Sequence, residues 1–225
     1  MLSQAMRSGS YRYLLNGEPT QVLESWDIEG DLAAQCQISS RRAAPGLEIV
    51  VDAQLSGGKV QNFNVVWHAG PTETVCARYQ LFEDELVVVW RGLGCDEDER
   101  TEISLDAATV QPILFPLMRI FTGPLINCLL EAGGEGNIVL PDISDPANKP
   151  RLLRPQFSVR RATVVDAESI LYSHGEERPC RRCEYTGDQY TAGSYFWLGA
   201  DGLLERYQWQ QSADLHWDVW LERSN

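Results

Sequence analysis

In Leu47–Leu55 the odd positions, Leu47, Ile49, Val51, Ala53 and Leu55, are apolar, and Glu48, Asp52 and Gln54 stand between them. Side chains on a β-strand point alternately to opposite faces, so a period of two marks a strand with one face buried. Ser56-Gly57-Gly58-Lys59 follows, and Gly-Gly supplies the positive φ angles of a tight hairpin. The return strand is Val60–His68, with Phe63, Val65 and Trp67 on one face and Asn62 and Asn64 on the other. After the turn Ala69-Gly70-Pro71, the alternation recurs in Thr74–Phe82 through Val75, Ala77, Tyr79 and Leu81. Leu86–Trp90 is apolar on both faces and fits a covered strand. Strands joined by such short turns pair antiparallel, and no βαβ alternation suggests a parallel sheet.

The rest of the chain divides around one exceptional segment. The first 20 or so residues are polar and read as a lead-in with a strand at Tyr11–Leu15, and another strand is expected around Leu32–Ile38. In the last third, Phe157, Val159 and Val165 alternate with Ser158 and Arg160. Asp201-Gly202 marks a hairpin between Tyr190–Leu198 and Leu203–Gln210, and Leu215, Trp217, Val219 and Leu221 give a closing strand. Val110–Leu130 is different. It has about the length of a membrane span but contains Pro112, Pro116, Arg119, Gly123, Pro124 and Asn127. Backbone groups freed by such breaks have no partners in hydrocarbon, so a lipid-spanning helix is excluded. Short helical turns are expected instead at Phe115–Phe121 and Leu125–Ala132, the second stopped by Gly133-Gly134.

Composition narrows the class. The chain of 225 residues reads as one β-rich domain, 1–225, large enough to bury a core without staples. A formal net charge of −13 repels phosphate backbones and anionic headgroups, which argues against nucleic acid as a partner. Arg151, Arg154, Arg160 and Arg161 form a local basic cluster that reads as solvated strand ends. The six cysteines are scattered rather than arranged as a disulfide framework, and Met1–Tyr13 lacks the apolar core of a signal peptide. Both observations point to the cytoplasm.

No complete catalytic signature emerges. Cys180-Arg181-Arg182-Cys183 lacks the second ligand pair of a zinc site and the strand-to-helix context of a redox motif, although flanking arginines would lower a thiol pKa. His68, His174 and His216 have no nucleophile-elbow motif to serve, and the first and last fall on polar strand faces. The acidic loop from Asp96 fails the calcium-loop pattern, since Arg100 and Thr101 stand where the loop needs an oxygen ligand and glycine. No catalytic residue, metal site or cofactor is therefore assigned. Tryptophans at 26, 67, 90, 197, 209, 217 and 220 mostly lie in strands, where they pack a core or line a cavity. Trp217 and Trp220 point to opposite faces of one strand, which makes one of them a candidate for self-association.

Phe115-Pro116-Leu117-Met118-Arg119-Ile120, Ile138-Val139-Leu140-Pro141-Asp142, Gln156-Phe157 and Asp201-Gly202-Leu203 follow one another in an order that resembles a bacterial family of unknown function described as glycolipid-binding. The resemblance covers about Glu24–Arg223. It implies a long curled antiparallel sheet, or half-barrel, with a short helical insert, similar to lipoprotein-carrier folds of the bacterial envelope. The central segment would then pack in the concavity. The leading expectation is a non-catalytic binding protein for an apolar or amphipathic small molecule such as a glycolipid, lined by Phe63, Trp67, Trp90, Phe115, Ile120, Phe121, Trp197 and Trp209. A hydrolase or Cys-based redox enzyme, and a homo-oligomeric scaffold, are the alternatives.

Overall fold

The structure, a computed structural model, describes residues 6–70, 72–95, 97–105, 111–173 and 176–224. Pro71, Asp96, Val110 and His174 lie outside the described residues. Among the described residues fifteen strands form one sheet. The first eight are β1 (Met6–Leu15), β2 (Glu18–Gly30), β3 (Gln35–Ala44), β4 (Leu47–Ser56), β5 (Lys59–Ala69), β6 (Glu73–Leu81), β7 (Glu85–Arg91) and β8 (Glu99–Ser104). After the central segment come β9 (Ile113–Leu114), β10 (Glu135–Pro141), β11 (Pro155–Ser173), β12 (Glu176–Thr186), β13 (Tyr195–Gly199), β14 (Leu204–Ser212) and β15 (Leu215–Arg223).

The strand order explains the central segment. Strands β1 to β8 are laid down as successive neighbours out to one edge, and the chain reappears at the opposite edge as β9. It then returns through β10 to β15, which pairs antiparallel with β1. β8 and β9 are not hydrogen-bonded to each other, so the sheet is curled and open. Twist accumulated over so many strands makes a sheet curl, and bulges at Arg12/Leu14 and Gln54/Leu55 sharpen the bend. The loop 142–154 ties the halves together. Tyr79 donates its hydroxyl proton to the Leu153 carbonyl at 2.7 Å, and the Trp90 indole N–H donates to the Leu152 carbonyl at 2.8 Å.

β9 and β10 pair parallel, and the connection between them packs in the concavity. A 3-10 turn, Arg119–Phe121, leads into helix α1 (Thr122–Glu131). Pro124 sits in the first turn of α1, where its missing N–H breaks no helical bond. The expected helix therefore forms and starts earlier than the sequence suggested, whereas 115–118 is not helical. Ile120, Phe121, Leu125, Ile126 and Leu129 join Trp26, Ile28, Val51, Val65 and Tyr79 in one buried core. Gly123 is required by close approach, since a Cβ there would lie 2.1 Å from the Gly202 carbonyl oxygen in the β13–β14 turn.

Two sequence expectations change. The N-terminal lead-in is β1, hydrogen-bonded on both sides, with Tyr11 fully buried. The alternation at the start of β11 is real but its phase is opposite. Phe157 and Val159 are about half exposed, while Ser158, Arg160 and Ala162 face inward. The concave side of β11 meets a polar end of the core, so polar residues occupy the inward phase.

One buried carboxylate fixes the plug. Glu24, on β2, has no exposed surface. Its Oε2 accepts from the Tyr13 hydroxyl at 2.8 Å and from Arg42 Nε and Nη2 at 2.9 and 2.7 Å. Its Oε1 accepts the backbone N–H groups of Arg119 and Ile120. Arg42 also donates to the Leu117 carbonyl at 2.9 Å. The β9–β10 connection is thereby held on both sides of Met118. Removing one partner of a buried pair leaves the other charge uncompensated, at a cost of about 3–5 kcal/mol. Glu24→Ala should lower the unfolding free energy by about that amount in urea titrations. A loss below about 1 kcal/mol would show that the carboxylate does not hold the plug.

Candidate functional site

The antiparallel registers place the turns after β1, β3 and β12 at one end of the curled sheet and the turns after β2, β4 and β13 at the other. The second end is stoppered by α1. There Arg181 donates to the Asn127 side-chain oxygen, and clefts of about 620 and 610 Å3 flank that pair. Glu131, Asp201 and Glu168 line these clefts beside Arg181, so the charge there is mixed.

The first end is different. A cavity of about 420 Å3 opens there, and its apolar lining residues are Phe115, Leu117, Leu140, Pro141 and Ile143. Arg42, Arg119, Arg160 and Tyr190 also line it, together with Ser144, Gln156, and Asp188 and Gln189 of the turn after β12. Each arginine is positioned by a different element. Arg42 leaves the inward face of β3 and is committed to Glu24. Arg160, on the inward face of β11, pairs with Asp188 and donates to the Gly187 carbonyl. Arg119 leaves the 3-10 turn, donates to the Tyr190 hydroxyl at 2.9 Å and stacks over the Tyr207 ring at 4.6 Å. Burial holds the Tyr207 phenol up at about 12, so that ring faces the guanidinium as a neutral phenol near pH 7.

The expected lining residues divide into three groups. Phe63, Trp67, Trp90, Ile120, Phe121 and Trp209 are packed in the main core. Phe63 stacks on Tyr79 with ring centroids 4.6 Å apart, and Trp209 lies 5.0 Å from Tyr190. Phe115 is the member of the set that lines the mouth cavity. Trp197 is in a separate cluster with Leu171 and Cys180, across the sheet from the main core. There Arg206 stacks on Trp220 at 4.0 Å and on Trp197 at 5.3 Å while gripping Asp218. Trp217 packs half-buried against the main core.

The basic cluster read as solvated strand ends is corrected by the same geometry. Arg160 is 4% exposed and lines the mouth. Arg154 stacks over Trp90 at 3.8 Å and pairs with Glu99, whereas Arg151 and Arg161 are exposed and ion-paired.

The cysteine pair is also placed. Cys183 belongs to the main core and Cys180 to the outer cluster, on opposite faces of β12. Residues three apart on a strand are about 10 Å apart, well beyond the roughly 4.4–6.8 Å that a disulfide allows. Burial pushes the Cys180 thiol up to about 11 and raises Cys183, outweighing the neighbouring arginines. His68 bonds Thr74 at 3.1 Å, and among the described residues no group of three His, Cys, Asp or Glu side chains could hold a metal ion.

No family model matches the chain, and no curated protein matches it. Among solved structures it is similar to a β-barrel-like protein of the domain of unknown function DUF1849 from Brucella abortus. The TM-score is 0.53 at 11% identity, with 100% of this chain and 99% of that chain covered. That likeness supports the curled β architecture. No helix among the described residues is long and apolar enough to cross a membrane.

A thiol with a pKa near 11 is ionised to only about one part in a thousand at pH 8. Native protein at pH 8 should therefore show rapid reaction with a thiol reagent at exposed Cys95, while Cys180 and Cys183 react only on unfolding. Rapid labelling of both buried thiols, or their oxidation to an internal disulfide in the folded state, would contradict this arrangement.

Proposed function

We propose that this protein is a non-catalytic binder of a small amphipathic molecule, taken up at the arginine-lined mouth of the curled sheet. The observation that carries the proposal is the lining of the mouth, which combines five apolar residues with three arginines. Small-molecule pockets are concave and mostly apolar, with a few placed polar groups that orient the ligand. At about 420 Å3 the cavity lies at the small end of that range, which suits a single-chain or single-ring body.

The aromatic concavity expected from the sequence is occupied by the protein's own plug, with Ile120 and Phe121 essentially unexposed. A ligand body would therefore rest on Phe115, Leu140 and Ile143 at the rim rather than on Phe63 or Trp67 deeper in. A glycolipid headgroup with one chain at the mouth is the form in which the family resemblance fits this geometry. The amphiphile reading does not require it.

Octanoate is the simplest probe of the reading. In a titration followed by backbone amide NMR, shifts should cluster at residues 115–119, 140–144 and 187–190. Ile143→Trp, which fills the rim with bulk, should weaken binding at least about tenfold. Shifts confined to the clefts around Arg181, or the absence of any shift, would overturn the proposal.

A further inference from the structure

The charges at the mouth do not cancel. Arg42 has Glu24 and Arg160 has Asp188, but among the described residues no carboxylate pairs with Arg119. Among the described residues the partners of its guanidinium are neutral, the Tyr190 hydroxyl and the Tyr207 ring. The nearby carboxylate of Glu24 is taken by Arg42, Tyr13 and the backbone N–H groups of Arg119 and Ile120. Three arginines against two carboxylates leave one uncompensated positive charge, in a protein whose formal net charge is −13.

Hydrogen-bonding capacity is left over in the same place. The buried Nε atoms of Arg119 and Arg160 have no partner among the described residues. The Tyr190 hydroxyl accepts from Arg119, and no acceptor for its own proton is present among the described residues. A partly buried cation with unused donors is costly to leave unpaired, and a bound anion would relieve that cost. At the opposite end the buried Nε of Arg181 is likewise without a partner among the described residues, but Glu131, Asp201 and Glu168 line the clefts beside it, so an anion there would meet carboxylates.

We infer that the polar end of the mouth ligand is a monoanion, of carboxylate type, received by the outer edge of the Arg119 guanidinium with the Tyr190 hydroxyl as a second donor. This rests on the reading of the mouth as an amphiphile site. It adds the charge class of the ligand and names Arg119 as the residue that selects it.

The test compares octanoate with octyl glucoside, which carry n-alkyl tails of similar length and differ in charge, by isothermal titration at low salt. Octanoate should bind the wild-type protein at least about tenfold more tightly. Raising ionic strength from about 0.01 M to about 1 M should weaken octanoate and leave octyl glucoside unchanged. Arg119→Gln should bring the two affinities together by weakening octanoate alone, and Tyr190→Phe should weaken octanoate with a smaller effect. If Arg119→Gln does not fold, the wild-type ratio and its salt dependence decide. Equal wild-type affinities would overturn the anion assignment while leaving the amphiphile site standing. Failure of both probes to bind would overturn the site itself.

Discussion

The fold depends on one buried carboxylate meeting a backbone that would otherwise be unsatisfied. β9 pairs parallel with β10, so the chain between them must cross over rather than turn back, and that connection, 115–134, packs inside the curl. A connection buried there carries N–H and C=O groups outside the sheet ladder, and buried backbone groups need partners. Glu24 answers two of those N–H groups and Arg42 answers the Leu117 carbonyl. The Glu24–Arg42 pair is thus the point where the sheet grips its own plug, and the apolar side chains beyond it can fill the interior.

That grip also makes the two ends of the sheet unequal. At one end α1 closes the core, with Gly123 pressed against the Gly202 carbonyl and Asn127 bonded to Arg181. At the other, the same turn that bonds Glu24 through its backbone sends the Arg119 side chain outward. The structural anchor and the proposed recognition group are therefore neighbouring atoms of one residue. The proposed ligand would complete a charge arrangement that the anchor leaves one anion short.

Much of the fold was legible in the sequence because a period of two is a direct image of a strand with one wet face. The hairpin 47–68 and the closing strand 215–221 show it plainly. The central helix was legible from its glycine stop. What period could not reveal was phase. On β11 the inward residues are Ser158, Arg160 and Ala162, so the rule of apolar-inside assigns the wrong face. The candidate site was missed for a related reason. Glu24 lies in step with Trp26 and Ile28, and Arg42 in step with Ile38 and Ser40, so both are ionisable residues on an inward phase. That was the available signal, together with Arg119 as the lone charge within an apolar stretch. Of the aromatic residues expected to line a pocket, Phe115 lines the mouth, Phe63, Trp67, Trp90, Phe121 and Trp209 pack the core, and Trp197 lies in the outer cluster. Whether an aromatic lines a cavity or fills one depends on where the crossing chain lies, which local pattern does not encode.

The most direct measurement of the central claim is a crystal structure of the protein grown with 8-bromooctanoate, read by the anomalous signal of bromine and by density for the carboxylate. The account predicts one carboxylate about 2.7–2.9 Å from the Arg119 guanidinium, with the bromine against the Phe115–Ile143 wall. Bromine located only in the clefts around Arg181, or a carboxylate at the mouth that leaves Arg119 untouched, would contradict it.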